Sequence, residues 1–166
     1  MNLFANLKEI KNYFLKKENI YYFVLIIIIF FLDRYLKFIV INNFSERTYY
    51  INKYLNLDLI WNIGIGFGFL STDSSIFYNS VTVTVGIVII YLLYVFIQSE
   101  MIDKFIYSII IGGALGNFFD RLTYKAVPDF IDLHYNNFHW FTFNVADIFI
   151  TLGISIFIIR SFFIKN

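Results

Sequence analysis

Two aspartates are set apart by their neighbours. Asp129 is flanked by Pro128, Phe130 and Ile131, and Asp147 by Val145, Ala146 and Ile148, with no basic residue beside either. Burial among apolar groups favours the neutral acid, and two such carboxyls brought together split into one protonated and one ionised member. That division suits amide hydrolysis: one carboxylate takes a proton from the attacking water while the other acid polarises the carbonyl oxygen. Their separation along the chain leaves open whether they meet.

Other polar residues read as support. Asp33 and Lys37, four apart, share one helix face and pair. Arg34 turns about 100° away from them and is expected to reach lipid headgroups. Asn117, Asp120 and Arg121 close one apolar run, and Asn144 precedes Asp147 in the next. Asp120, beside Arg121, is a poor proton donor and reads as structural or substrate-orienting. His134 and His139 are five apart, on different faces if helical and unlike the spacing of H-E-x-x-H, so no metal is expected. A G-x-S-x-G nucleophile motif is absent, and Gly64-Ile65-Gly66-Phe67 fails the G-x-G-D pattern of presenilin-like proteases.

These groups need a scaffold, and the composition names its solvent. The 166 residues are 59% hydrophobic and 15% charged, with 13 basic and 12 acidic side chains. So apolar a chain is neither disordered nor a water-soluble globule, and near-zero net charge offers no face for nucleic acid. Lack of cysteine excludes disulfides and thiolate zinc. The reading is a single all-α membrane domain, 1–166, with four transmembrane helices near 21–41, 75–97, 105–122 and 143–163. No small-residue cleavage site follows the first run, so it is expected to be retained. Ser108, Gly112 and Gly116 form a small-residue stripe for close helix packing.

Seven basic residues (Lys8, Lys11, Lys16, Lys17, Lys104, Arg160, Lys165) flank one side of the spans and four (Arg47, Lys53, Arg121, Lys125) the other. This places both termini in the cytoplasm and 42–74 and 123–142 outside. Within the first outer stretch, 54–61 alternates as a strand before the glycines of 62–68; the second is expected to be an interfacial helix or loop. The ionisable groups then converge at one depth. A carboxylate-lined proton or ion translocator is the rival reading, but it requires polar groups through the whole membrane, and Phe23 to Ile29 and Ile154 to Ile159 are almost wholly apolar.

Five blocks in order resemble the bacterial lipoprotein signal peptidases (signal peptidase II). They are D-x-x-x-K at Asp33 to Lys37, N-x-G-x-x-F at Asn62 to Phe67, G-G-A-x-G-N-x-x-D-R at Gly112 to Arg121, V-x-D-F-I-D at Val127 to Asp132, and F-N-x-A-D at Phe143 to Asp147. The resemblance implies a four-helix aspartyl peptidase of the cytoplasmic membrane, active near its outer face without a cofactor. Its substrates would be diacylglyceryl-modified prolipoproteins, cut on the amino side of the lipidated cysteine, and it would act as a monomer in membrane lipid. Asp129 and Asp147 fall on the family's catalytic aspartates. Asn62, Gly64, Asn117, Arg121 and Asn144 match residues that bind substrate or support the dyad, and Asp33, Lys37 and Asp120 its structural polar set. The resemblance further implies a small sheet over 42–74 and a short helix or loop flap over 123–140. Two departures stand out: Pro128 where valine is usual, biasing the approach to Asp129, and Phe141 where many relatives have proline.

Overall fold

The computed structural model describes residues 17–44, 47–64, 75–136 and 138–163. Lys8, Lys11, Lys16, Lys165 and the run from Ile65 to Gly68 lie outside these. The elements are α1 (Lys17–Asn43), β1 (Tyr49–Asn52), β2 (Leu55–Asn62), α2 (Ser75–Gln98), α3 (Met101–Tyr124), β3 (Val127–Tyr135), β4 (Phe138–Phe143) and α4 (Val145–Phe163).

Helix α3 is the hub, packed against α1, α2 and α4. Its small residues make this possible. A Cβ at Gly112 would come within 2.8 Å of Ile29 on α1, and one at Gly113 within 2.5 Å of the Ala146 carbonyl on α4. Gly112 of the stripe expected from sequence thus lets α1 pack closely, and Gly113 beside it does the same for α4. Towards one end, Ile26, Phe96 and Ile111 form a buried apolar plug, with Tyr22 and Phe23 edge-on to Phe96 at 6.3 and 5.3 Å.

The outer helix faces are apolar as well: Val83, Ile87 and Ile90 on α2 and Phe157, Ile158 and Phe162 on α4 are exposed. Water would penalise that surface, whereas lipid does not. Among the described residues, three helices are long and apolar enough to cross a membrane: α2 from Ile76, α3 and α4.

A four-stranded antiparallel sheet in the order β1-β2-β3-β4 completes the fold. The strand expected over 54–61 forms as β2, with a register shift between Leu57 and Ile60. The expected helix or loop over 123–142 is corrected: that stretch forms β3 and β4, paired from Ile131 with Phe143 to Tyr135 with Phe138. Asn136, at φ 54°, takes the left-handed turn that asparagine tolerates, and the aromatic-rich run Phe138-His139-Trp140-Phe141 suits a pleated surface. Pro128 pairs with Trp61 on β2, at a point on β3 that β4 does not reach. The N–H it lacks therefore leaves no gap in the β3–β4 ladder.

Candidate active site

Asn144 organises the site. It precedes α4 and forms a reciprocal cap with Asp147: its side-chain oxygen accepts from the Asp147 N–H at 3.1 Å, and its own N–H donates to Asp147 Oδ2 at 3.1 Å. The remaining Asn144 group, Nδ2, donates to Asp129 Oδ1 at 2.6 Å. One asparagine thus bonds both aspartates that the sequence singled out, one from a strand and one from the first turn of a helix.

The other partners are also amides. Asn62, at the end of β2, donates to Asp129 Oδ2 at 2.8 Å, and Asn117 on α3 donates to Asp147 Oδ1 at 2.8 Å. Asp129 is 2% exposed. Burial first, and then the Asp147 charge, push its carboxyl up to about 7, against the opposing pull of the Asn62 and Asn144 hydrogen bonds and of Lys37.

A second set of buried carboxylates lies behind this one. Lys37 Nζ reaches Asp120 Oδ2 at 2.7 Å, Asp33 Oδ2 at 2.9 Å and Asn117 Oδ1 at 2.9 Å. The predicted Asp33–Lys37 pair forms. Arg34, expected to turn to the headgroups, is corrected: it bonds Asp33 and Asp120, with its guanidinium 5.1 Å from the Phe119 ring centre. Two carboxylates brought by different helices outcompete lipid for that fork. Asp33 also accepts the Ala146 N–H at 3.0 Å, tying α1 to the start of α4. A Cβ on Gly116 would stand 2.5 Å from Asp33 Oδ2, so glycine makes room for this carboxylate.

Arg121 faces away from this cluster, donating to the Gly64 carbonyl at 3.1 Å and the Asn117 carbonyl at 3.3 Å. The Gly64 N–H in turn donates to Asn62 Oδ1 at 2.8 Å, so Arg121 braces the turn that holds Asn62. Tyr78 of α2 donates to the Arg121 carbonyl at 3.2 Å, a contact that nothing in its sequence surroundings signals. All ten residues expected at the site are therefore joined by direct contacts. His134 and His139 are not on a helix: they face each other across β3 and β4, which removes the spacing argument made for them.

Beside the dyad runs a groove of about 410 Å³ lined by Phe141, Phe143, Asp147, Ile148, Thr151, Leu152 and Ser155. It presents one carboxylate at the edge of an otherwise largely apolar trough. A family model for signal peptidase II matches residues 25–163. The chain belongs to the signal peptidase II family.

Relatives agree along the whole length. The chain is 44% identical to a lipoprotein signal peptidase of Pelagibacter ubique over 161 residues, 95% of this chain and 93% of that one. It is 38% identical to that of Francisella tularensis subsp. novicida over 158 residues, 92% and 98% of the two chains. A solved structure described as a bacterial membrane enzyme superposes with a TM-score of 0.71 at 27% identity, covering 85% of this chain and 87% of that one. All five motif blocks of this signal peptidase II fall within the matched residues. The family is one of aspartic peptidases, and a buried and a half-buried aspartate held by neutral amides fit that class.

Proposed function

We propose that Asp129 and Asp147 are the catalytic pair of this signal peptidase II, and that it releases signal peptides from diacylglyceryl-modified prolipoproteins on the amino side of the lipidated cysteine. The observation that carries this is the bonding of one asparagine, Asn144, to both carboxyls. With Asp129 held up to about 7, the pair retains one shared proton near neutrality. The ionised carboxylate takes a proton from water as its oxygen attacks the amide carbon, and the protonated one donates a hydrogen bond to the carbonyl oxygen. Collapse of the tetrahedral intermediate then breaks the C–N bond as the leaving nitrogen takes up a proton. The reaction balances with water and two carboxyls alone.

In this reading α1 is a fourth span, both termini are cytoplasmic, and the sheet lies at the outer face of the bacterial cytoplasmic membrane. The groove beside Asp147 supports lateral entry: Ile148 and Leu152 on its wall are exposed to the lipid side. Acyl chains stay in hydrocarbon while the peptide meets the polar site. Against a translocator, the plug of Ile26, Phe96 and Ile111 interrupts any polar path along the helices.

The test uses full-length protein in lipid vesicles with a diacylglyceryl-modified prolipoprotein, beside Asp129→Asn and Asp147→Asn variants shown to insert and fold. Wild type cuts and neither variant does. A variant cutting at the wild-type rate removes that residue from the pair. Failure of wild type on substrate that another signal peptidase II cleaves overturns the reading.

A further inference from the structure

The β3–β4 hairpin carries a second cluster that hydrolysis does not use. Asp132 and His134 are two apart on β3 and therefore on one face, and His139 stands directly across from His134 on β4. The two imidazole rings stack at 5.3 Å and 24°. His139 Nδ1 lies 2.8 Å from Asp132 Oδ2, and His134 Nδ1 lies 3.8 Å from the same oxygen. One ligand atom from each of the three residues falls within 4.8 Å of the others. Period-two alternation along β3 places Asp129 on the opposite face, so this cluster is separate from the dyad.

What marks it as unfinished is its unused polar atoms. Asp132 is 3% exposed, His134 9% and Asn56 8%. Yet among the described residues Asp132 Oδ1, His134 Nδ1 and Asn56 Oδ1 make no hydrogen bond. Asn56 is the β2 partner of Asp132, and its amide reaches Asp132 Oδ2 at 3.4 Å. Three buried polar atoms without hydrogen-bond partners, on residues of two paired strands, are what proteins avoid. A cation held between Asp132, His134 and His139 can supply the partners that Asp132 and His134 lack.

We propose that Asp132, His134 and His139 bind one divalent transition-metal ion, with Zn²⁺ the best match, and that the ion fastens β4 to β3. Two imidazoles with one carboxylate are a borderline donor set that suits zinc and does not suit magnesium or calcium, which take oxygen ligands. In a tetrahedral site with ligands at about 2.0–2.2 Å, donor atoms stand roughly 3.3–3.6 Å apart, inside the range the three residues already span. Asn56 Oδ1 and water are the candidates for a fourth position. The ion lies on the strand that carries Asp129, three residues from it, and holds that strand against its neighbour.

The experiment is a calorimetric titration of Zn²⁺ into full-length protein in lipid nanodiscs, carrying no added histidine tag and stripped with chelator. His139→Gln is the informative variant, because His139 is exposed and its loss leaves the core of the sheet intact. Wild type takes up one Zn²⁺ per chain in the presence of excess Mg²⁺, and His139→Gln binds at least about tenfold more weakly. His134→Gln gives a second reading: it loses the site as well, with Tm in the absence of metal reporting whether the sheet has survived. Uptake unchanged in His139→Gln places the ion elsewhere and overturns the proposal, as does no uptake by wild type. Since the readout is metal uptake, the result is independent of the assignment of Asp129 and Asp147 to cleavage.

Discussion

Two pairs of aspartates, buried except for the half-buried Asp147, stand side by side in this molecule and are treated in opposite ways. Asp33 and Asp120 are surrounded by cations: Lys37 bonds both, and so does Arg34. Asp129 and Asp147 receive hydrogen bonds from Asn62, Asn117 and Asn144. A cation beside a carboxylate favours its charged form and offsets part of the cost of burying it. An amide orients a carboxyl but supplies no charge, so the proton can come and go. In the proposed reading the same residue type serves as a strut in one pair and as a reagent in the other. Asn117 joins the two, accepting from Lys37 at 2.9 Å and donating to Asp147 at 2.8 Å.

The largest effects come from exchanging these roles. Asp129→Asn or Asp147→Asn keeps shape but removes the titrating oxygen and one of the two side-chain hydrogen bonds it accepts; cleavage in vesicles falls by about 10³–10⁴ or more while the protein still folds. Removing a cation does the reverse. Lys37→Met leaves Asp33 and Asp120 with Arg34 alone and costs about 3–5 kcal/mol of stability, read as loss of folded protein in a detergent denaturation series. If Lys37→Met folds as well as wild type and Asp129→Asn does not fold, the division of roles is reversed. A smaller effect belongs to Gly116→Ala, whose methyl meets Asp33; it costs about 1–3 kcal/mol, whereas Ala at Gly86, where the neighbour is the Phe118 ring edge at 3.2 Å, costs less.

How much of this was legible beforehand follows the range of each interaction. Asp33 with Lys37 is a local helix pair and could be read from spacing alone. Arg34 could not, since its partner Asp120 arrives on another helix after a long excursion of the chain. The apolar runs identified α2, α3 and α4, because lipid demands length and composition and little else. The hairpin of β3 and β4 was misjudged, although Tyr135-Asn136-Asn137-Phe138 carried the signal: two turn-forming asparagines between aromatic residues that alternate as strands do. The two catalytic candidates were marked by their apolar neighbours. That Asn144 should cap a helix with one of its atoms and hold the other aspartate with another depends on β3 arriving beside α4, which no local pattern encodes.

The finest test of the comparison is pH. Asp129 is held up to about 7 in the folded protein, chiefly by burial and next by the charge of Asp147, against 3.8 for an ordinary aspartate. If the pair works with one shared proton, kcat/KM falls about tenfold for each pH unit above about 7, and falls again at low pH, where the second carboxyl is protonated too. Stability carries the same signature with a definite sign. Between about 4 and 7 the folded state keeps a proton that the unfolded state has released, so raising the pH through this window lowers stability, and above it the loss is complete. Asp129→Asn has no proton to lose at that position, so its Tm declines less steeply than that of wild type. The cation-clamped pair supplies the control, because Asp120→Asn leaves the slope due to Asp129 in place even as it lowers stability at every pH. A wild-type Tm that does not decline between 4 and 7, or a decline as steep in Asp129→Asn as in wild type, would show that Asp129 holds no extra proton in the folded state and that the two pairs of aspartates differ in packing and not in protonation.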